Sequence, residues 1–555
     1  MSKSKHIDKI CIAVISIVLV ITLVLMFGEK LGLSFLQKNG SISTSGMFTS
    51  NDLKADWDTS GATKIVLKGN TADVSGNSKL AYFSDNTLNI AHAGKYVISG
   101  SLNGSINIDA DKEAKIWILF DGVDVSSADN APLIIKQADK VFLTLKENSN
   151  NTLTYENSNE DSDIDGAVFS RDDLTINGKG KLTVTSTALH GIVCNDSLVF
   201  TGGDIDINAG TDGVHAHDEI KMCNTNLTVS AGDDGLHAGN DDETSVFYIE
   251  SGNVDISKCY EGIEANDVTI AGGTINILPS DDGINAAGSG AGSAINIMGG
   301  DISIINKVGK DADGLDSNGD INISGGNLFI SMSGNGTNNA LDFGSENGGK
   351  CRFSGGTVVA CGSSQMLEVP DTNSKQGFIM QTVSGPENST LSLYDSKGKT
   401  LISKTIPCSF TSALISCPKL SLGDTVKLKV GDSETEIIVD NALQASVTDP
   451  GNGGNKMNGG DMAGGAPPEK PEGGEDMAGR TPPEKPEGGG DMAGGTPPEK
   501  PDGGDQAVPQ DKNKNAEKAQ NGKESPKTAN NQVWILIAIS AVVLLAGLFI
   551  VIKKK

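Results

Sequence analysis

Residues 212–216 read Asp-Gly-Val-His-Ala, a phrase of an acid, a glycine, an aliphatic residue, a polar residue and a small residue. The same phrase returns along the chain, with weaker copies at both ends, beginning at Asp165, His190, Asp234, Glu261, Asp282, Asp313 and Ala340. Between the copies lies a second phrase, Gly-Gly-x and then alternating apolar residues, as in residues 272–277. Recurrence at intervals of roughly 20 to 30 residues is the signature of a solenoid.

The pattern inside each repeat indicates which kind of solenoid the chain forms. Apolar residues alternate with polar ones and are mostly β-branched, which is typical of strands, and helical periodicity is missing. The glycines are expected at turns that need positive φ. The sequence therefore predicts an all-β fold, a right-handed parallel β-helix over residues 47–361, in which each repeat is one coil.

Stacking of coils about 4.8 Å apart turns equivalent positions into columns. The position before the glycine gives one predicted column: Asp165, His190, Asp212, Asp234, Glu261, Asp282 and Asp313. The position two after the glycine gives another: Val168, Val193, His215, His237, Glu264, Asn285, Asp316 and Asp342. Asp233 and Asp281 add further acids. A third column of inward residues, small in the middle of the series, is predicted to be structural.

The carboxylate columns carry the chemistry. Unit charges about 5 Å apart repel by roughly 1 kcal/mol even in water, and by more at a protein surface. Clustered oxygen ligands select hard cations, and Ca²⁺ accepts the irregular cage that a turn offers. The sequence therefore predicts Ca²⁺ between successive coils. Two alternatives stay open: turn acids that simply face solvent, or a transition metal at His215 and His237.

The rest of the chain predicts four further segments. Residues 1–32 hold an apolar run behind lysines and predict an uncleaved signal anchor. Residues 362–446 predict a small antiparallel β module or cap. Residues 447–531, with a 15-residue Pro/Gly-rich repeat beginning at Asp461, Asp476 and Asp491, predict a disordered spacer. Residues 532–555 predict a transmembrane segment with a basic tail.

The termini also predict a location. Lysines beside both apolar runs place the intervening chain outside the cell, on the cell membrane or the cell wall. Ser525-Pro526-Lys527-Thr528-Ala529 is similar to a sortase sorting signal, so cleavage after Thr528 and attachment to peptidoglycan is an alternative to a retained helix. The net charge of −27 disfavours nucleic acid as a partner. The eight cysteines do not predict a disulfide scaffold.

With these residues in view, the chain resembles the bacterial carbohydrate-binding domain-containing proteins that are common in clostridia. The resemblance rests on residues 62–65, residues 88–100, the Asp-Asp-Gly rungs and residues 428–430. It implies a pectate-lyase-like fold that binds Ca²⁺ along the helix and binds cellulose or acidic, pectin-like polysaccharides without cleaving them. The metal residues it implies are Asp212, Asp233, Asp234, Glu261, Glu264, Asp281, Asp282, Asp313 and Asp316.

Three function classes follow. The first is a Ca²⁺-dependent, non-catalytic polysaccharide-binding protein, with sugar-facing residues expected at His215, His237, Tyr260 and Asn285. The second is a polyuronate lyase, in which Ca²⁺ acidifies a proton that a base removes; the available bases are Lys258, Lys307, Lys310 and Arg171. The third is a wall adhesin or scaffold in which Ca²⁺ is only structural.

Overall fold

A computed structural model describes residues 46–75, 79–156, 163–239, 244–288, 292–308 and 311–445. Its strands are, in order, β1 (Thr63–Gly69), β2 (Ala72–Ser75), β3 (Ala81–Ser84), β4 (Thr87–Ile90), β5 (Gly94–Asn103), β6 (Ser105–Asp109), β7 (Lys115–Ser127), β8 (Leu133–Gln137), β9 (Lys140–Leu145), β10 (Asn150–Tyr155), β11 (Gly166–Ser170), β12 (Asp173–Gly178), β13 (Lys181–Ser186), β14 (His190–Cys194), β15 (Ser197–Phe200), β16 (Asp204–Ala209), β17 (Val214–Ala216), β18 (Glu219–Met222), β19 (Thr225–Ser230), β20 (Leu236–Ala238), β21 (Val246–Ile249), β22 (Gly252–Cys259), β23 (Ile263–Ala265), β24 (Asp267–Ile270), β25 (Thr274–Pro279), β26 (Ile284–Ala286), β27 (Ala294–Ile297), β28 (Asp301–Asn306), β29 (Leu315–Ser317), β30 (Asp320–Ile323), β31 (Asn327–Met332), β32 (Leu341–Phe343), β33 (Cys351–Phe353), β34 (Thr357–Gly362), β35 (Phe378–Gly385), β36 (Ser389–Asp395), β37 (Thr400–Ile406), β38 (Phe410–Ser416), β39 (Thr425–Val430), β40 (Ser433–Ile438) and β41 (Leu443–Ala445).

The strands stack into the faces of a solenoid, and strands of successive coils pair in parallel. One face is a 12-stranded sheet that runs from β3 and β4 through β6, β8, β11, β14, β17, β20, β23, β26 and β29 to β32. The other two faces belong to a 25-stranded sheet: one runs from β9 and β12 to β33, the other from β10 and β13 to β34. The long strand β7 joins them, because its first half pairs with β9 and its second half with β10.

Identical apolar residues stack inside the solenoid. Ile256, Ile277, Ile304 and Ile330 are register partners on consecutive coils, and all four are fully buried. Such a column buries a β-branched side chain on every coil, at roughly 25 cal/mol for each Å² of apolar surface removed from water. The alternating pattern of the sequence therefore becomes an inward and an outward face on each strand.

The two phrases require glycine for different physical reasons. In the Gly-Gly phrase, residues such as Gly273 and Gly300 have φ of +96° and +88°, as the sequence predicts. The rung glycines do not have positive φ, so that part of the prediction is wrong. At Gly262 a Cβ atom would lie 2.2 Å from the carbonyl oxygen of Gly283 and 2.5 Å from Cγ2 of Ile277. Space between coils, rather than backbone conformation, requires glycine in the acid-glycine phrase.

Antiparallel pairs and an extended segment close the N-terminal end. β1 pairs antiparallel with β2, and β3 with β4. Upstream of them, Asp52 is 2% exposed and its Oδ1 accepts a hydrogen bond from Oγ1 of Thr175 at 2.7 Å. Lys140 forms a salt bridge with the same carboxylate at 3.1 Å. These contacts hold the first described residues against the face that contains β9 and β12.

The C-terminal residues cover the other end of the solenoid with a different contact on each of its three faces. On one face, β38 pairs antiparallel with β34. On the second, the backbone N–H of Asp371 donates to the carbonyl of Cys351 in β33. On the third, Oε2 of Glu368 accepts from the backbone N–H of Phe343 in β32, at 2.8 Å. The 4-stranded antiparallel sheet of β36, β37, β39 and β40 follows, and its core is continuous with the last coil.

The structure corrects the prediction of a transmembrane helix at each end of the chain. The described residues are all-β with mixed sheets, and none of their helices is long and apolar enough to cross a membrane; the helix that they contain is a short 3-10 helix, Ser345–Asn347. The apolar runs behind the prediction, residues 10–27 and 533–552, lie outside the described residues, as do the predicted spacer and Thr528. The fold class is therefore all-β, and the membrane and transmembrane assignments are withdrawn.

The cysteines in the described part of the chain are free and buried. Cys408 and Cys417 are among them. Cys194 lies in the inward column of small residues, as the sequence predicts, and burial raises the pKa of its thiol to about 12. These cysteines act as small apolar side chains.

Candidate functional site

Two polar columns run side by side along the edge of the 12-stranded sheet. The pre-glycine column precedes each short strand and consists of His190, Asp212, Asp234, Glu261, Asp282, Asp313 and Asn339. The mid-strand column is the central residue of each strand, and its polar members are His215, His237, Glu264, Asn285, Asp316 and Asp342. The backbone holds the columns in step: for example, the N–H of Gly235 donates to the carbonyl of Glu261 at 2.9 Å.

The start of both columns differs from the prediction by one residue. Gly166 pairs with His190, and Phe169 with Val193, so Asp165 and Val168 do not stand in the predicted columns. The inward position of that coil is likewise Ser170 rather than Phe169. The weak first copy of the repeat is offset against the next coil, and this offset was not visible in the spacing of the phrases.

The acids of the pre-glycine column form a ladder of hydrogen bonds between coils. Oδ1 of Asp212 accepts from the backbone N–H of Asp234 at 3.1 Å, and Oδ1 of Asp234 accepts from the N–H of Glu261 at 3.0 Å. Two further rungs repeat the contact, from Asp313 N–H to Asp282 and from Asn339 N–H to Asp313, each at 2.7 Å. Asp212, Asp234 and Asp282 are 4%, 7% and 8% exposed. They are therefore buried side chains and not solvated turn acids.

The ladder concentrates negative charge in a poorly solvated place. Burial, followed by the charge of Glu264, raises the pKa of Glu261 to about 9. Burial also raises the pKa of Asp282 and of Asp313 to about 8, with the neighbouring carboxylates adding to the shift. Among the described residues, the basic side chains that pair with acids of the two columns are the histidines at the N-terminal end of the columns. The C-terminal half thus holds carboxyl groups that a bound cation would stabilise in ionised form.

The N-terminal half of the ladder differs because histidines face the acids. Burial of Asp212 raises the pKa of its carboxyl group, but contacts with His190 and His215 outweigh burial, and the net pKa lies well below the usual range. Oδ2 of Asp212 is 2.9 Å from Nδ1 of His215 and 3.2 Å from Nδ1 of His190. Asp234 has a more distant histidine, with Nδ1 of His237 3.5 Å from its Oδ2. Burial and the charge of Asp212 raise the pKa of Asp234 to about 10.

The structure brings together some of the predicted metal residues more closely than others. Three groups have ligand atoms within 4.8 Å of one another: His190, Asp212 and His215; Asp234, His237 and Glu264; Asp212, Asp233 and Asp234. Within the described residues, Glu261, Asp281, Asp282, Asp313 and Asp316 do not form such a compact group. Sequence reasoning placed His190 in a column but did not assign it as a ligand; its register with Asp212 was the available signal.

The predicted sugar-facing residues lie on or beside the mid-strand column. Asn285 donates from Nδ2 to Oε2 of Glu261 at 3.0 Å, so it contacts the ladder directly. Tyr260 is 47% exposed, and a hydrogen bond with Asp281 raises the pKa of its phenol to about 12. Of the candidate lyase bases, Lys307 forms a salt bridge with Glu387 at 3.6 Å, and Lys310 lies outside the described residues. The fold and these side chains define a β-solenoid with a carboxylate- and imidazole-lined edge.

Comparison with known proteins shows which proteins part of the chain is similar to. Residues 84–336 match the model of the carbohydrate-binding domain-containing proteins. A carbohydrate-binding domain-containing protein of Acetivibrio thermocellus is 35% identical over 179 residues, which are 31% of this chain and 58% of the relative. The chain thus spans somewhat more than half of the relative that it matches.

A solved structure is also similar to part of the chain. It is the polysaccharide lyase-like protein from C. thermocellum, as a gadolinium derivative, with 27% sequence identity and a TM-score of 0.38. The match covers 46% of this chain and 94% of that one.

Proposed function

We propose that the protein binds acidic polysaccharides without cleaving them, through Ca²⁺ ions held on the C-terminal half of the two columns. The ligands are carboxylates of Glu261, Glu264, Asp282, Asp313 and Asp316, with Asp281 beside them. The observation that carries the proposal is the buried ladder itself, in which the pKa values of Glu261, Asp282 and Asp313 are raised to about 9, 8 and 8. Oxygen donors alone suit Ca²⁺, which accepts six to eight of them.

The family description and the residues support the polysaccharide as partner. The matching residues 84–336 include the whole of the ladder from Asp212 to Asp316. A Ca²⁺ ion that keeps open positions can bridge these carboxylates to the carboxylate of a uronate unit, which overcomes the repulsion between the acidic protein and an acidic sugar. Exposed Tyr260 offers an aromatic face beside the ladder for a sugar ring. A location on the outer surface of the cell belongs to the same proposal.

Calorimetric titration of the purified protein tests the proposal. Ca²⁺ is added first, and then polygalacturonate or cellulose oligomers, with and without EDTA. Binding of polygalacturonate that requires Ca²⁺, with no rise in ultraviolet absorbance from unsaturated uronates, is expected. A rise in that absorbance would instead identify a lyase. Ca²⁺ uptake without any response to sugar would leave a scaffold with a structural ion, and no Ca²⁺ uptake would overturn the metal assignment.

A further inference from the structure

The histidine end of the ladder has a donor set that Ca²⁺ does not prefer. His190, Asp212 and His215 offer two imidazole nitrogens and one carboxylate oxygen within 4.8 Å of one another. Imidazole is a ligand of zinc, copper, nickel and iron, whereas Ca²⁺ takes oxygen ligands. We propose that these three residues form a second metal site, specific for a divalent transition ion of the Zn²⁺ class and separate from the Ca²⁺ sites.

The two distances from Asp212 to the histidines are close to those around a tetrahedral ion. Metal–ligand bonds of about 2.0–2.1 Å at tetrahedral angles place the donor atoms roughly 3.3 Å from one another. Oδ2 of Asp212 is 3.2 Å from Nδ1 of His190 and 2.9 Å from Nδ1 of His215. The backbone N–H of Asp212 also donates to Nδ1 of His190 at 3.2 Å. Binding of the ion therefore requires the His190 ring to give up this hydrogen bond or to turn and present Nε2.

The backbone fixes the three ligands relative to one another. His190 is the first residue of β14, and His215 is the central residue of β17, which pairs in parallel with β14. The N–H of Gly191 donates to the carbonyl of Asp212 at 2.9 Å, so the coil that carries Asp212 is tied to the coil that carries His190. A site built on paired strands is held more precisely than one built on loops.

An independent feature beside the cluster supports the site. Oδ1 of Asp165 is buried and has no hydrogen-bond partner among the described residues. The backbone N–H of His190 donates to the carbonyl of Asp165 at 2.9 Å, which places Asp165 beside His190. Histidines that bind metals almost always donate their other ring N–H to a carboxylate, carbonyl or water, and this partner orients the ring. Asp165 is therefore the positioning residue for His190 when the ion is bound.

Three protein ligands leave one tetrahedral position open. Sites with three protein ligands and an open position bind water or a ligand there, unlike closed structural sites with four. Nδ1 of His237 lies 3.8 Å from Oδ2 of Asp212, so a third imidazole stands near the cluster. The site thus accepts one further oxygen or nitrogen donor from solution or from a bound polymer.

The test uses metal-stripped protein without a polyhistidine tag, titrated with Co²⁺ and followed by visible absorbance and calorimetry. The expected result is one equivalent of Co²⁺ with the intense visible bands of tetrahedral coordination, displaced by Zn²⁺ and not by Ca²⁺. His215→Asn should weaken Co²⁺ binding at least tenfold and leave Ca²⁺ binding unchanged. Asp165→Asn should weaken it about 10- to 100-fold while the tetrahedral ligands remain.

Two matched controls separate this site from the Ca²⁺ sites. Asp316→Asn removes a carboxylate of the C-terminal half, and His92→Asn removes a histidine outside the clusters; both should leave Co²⁺ binding unchanged. Absence of Co²⁺ uptake, or uptake that is insensitive to His215→Asn, would overturn the proposal whatever the result for Ca²⁺. If His215→Asn lowers the melting temperature markedly, its loss of Co²⁺ binding does not test the site. The wild-type protein then provides the test, because displacement of its bound Co²⁺ by Ca²⁺ would also overturn the proposal.

Discussion

Oδ1 of Asp282 accepts a hydrogen bond from the backbone N–H of Asp313, one coil further on, at 2.7 Å. The contact gives the acid two separate roles, since its oxygen caps a buried N–H while its charge is available to a cation. The two roles respond differently to substitution, and this difference allows them to be measured independently.

Replacing Asp282 by asparagine or by alanine separates the cap from the charge. Asparagine keeps an oxygen that can accept from Asp313, whereas alanine leaves that N–H buried without a partner, at a cost of about 1–3 kcal/mol. Chemical denaturation of the ion-free proteins should show Asp282→Ala less stable than Asp282→Asn by this amount. Both variants should bind Ca²⁺ more weakly than the wild type. Equal stability of the two variants would show that the ladder contact contributes nothing.

The stability of the ion-free protein should fall as pH rises. Glu261, Asp282 and Asp313 have folded-state pKa values of about 9, 8 and 8, above their ordinary values of 4.5, 3.8 and 3.8. Between these limits the unfolded chain releases protons that the folded chain keeps, so ionisation favours unfolding. Melting temperatures in chelator should therefore be lower at pH 9 than at pH 5. A melting temperature that rises over this range would contradict the raised pKa values.

Two controls test this pH dependence: addition of Ca²⁺, and a variant in which two of the three acids are replaced by asparagine. Adding Ca²⁺ at pH 9 should restore much of the lost melting temperature, because the ion binds the ionised carboxylates of the folded state. The variant with Asp282→Asn and Asp313→Asn should show a shallower dependence on pH, since two of the three groups no longer titrate.

Gly262→Ala should destabilise the solenoid strongly. The new Cβ would lie 2.2 Å from the carbonyl oxygen of Gly283, and backbone between coils has no room to move away. Overpacking of this kind typically costs about 1–3 kcal/mol, and a clash with backbone puts Gly262→Ala at or above the upper end. Gly292→Ala is the matched control, because nothing lies within 4 Å of its Cβ position. Thermal unfolding of both variants measures the difference, and similar melting temperatures would refute the close approach.

Asp52→Ala should release the N-terminal segment from the solenoid. The carboxylate is buried, accepts from Thr175 and forms a salt bridge with Lys140. The cost should be below the about 3 kcal/mol that is typical of breaking a buried pair, because Lys140 keeps a second carboxylate, that of Asp173, at 3.5 Å. Exposed Asp56→Ala is the control and should have no measurable effect on stability. Limited proteolysis near residue 50 should become faster in Asp52→Ala only, and unchanged protection would argue against this anchoring.

The repeat predicted the stacking of the site but not its detailed chemistry. From Asp212 to Ser317 each coil carries the full phrase, so the columns could be read in the correct register. At Asp165 the phrase is degenerate, and a single-residue offset moved Asp165 and Val168 out of their columns. The burial of Asp212, Asp234 and Asp282 was not predictable, because the same Asp-Gly dipeptide is common in exposed turns.

Other features depend on contacts that the repeat does not describe. The rung glycines were attributed to positive φ because that is the usual reason for glycine, whereas contact with the next coil becomes visible only in three dimensions. The docking of Asp52 against Thr175 joins residues 123 positions apart in the sequence. His190 begins a weak copy of the phrase, which placed it in the column of Asp212, but its contact with Asp212 at 3.2 Å was not predictable from the spacing.

The closure of the C-terminal end has a consequence for self-association. The last coil of a parallel solenoid would otherwise expose a row of free N–H and C=O groups on every face, which is a template for adding strands from another molecule. β38, Asp371 and Glu368 each occupy one of these rows, with a strand, a backbone amide and a carboxylate respectively. A protein made of nearly identical stacked coils is thereby kept from growing end to end into a fibre.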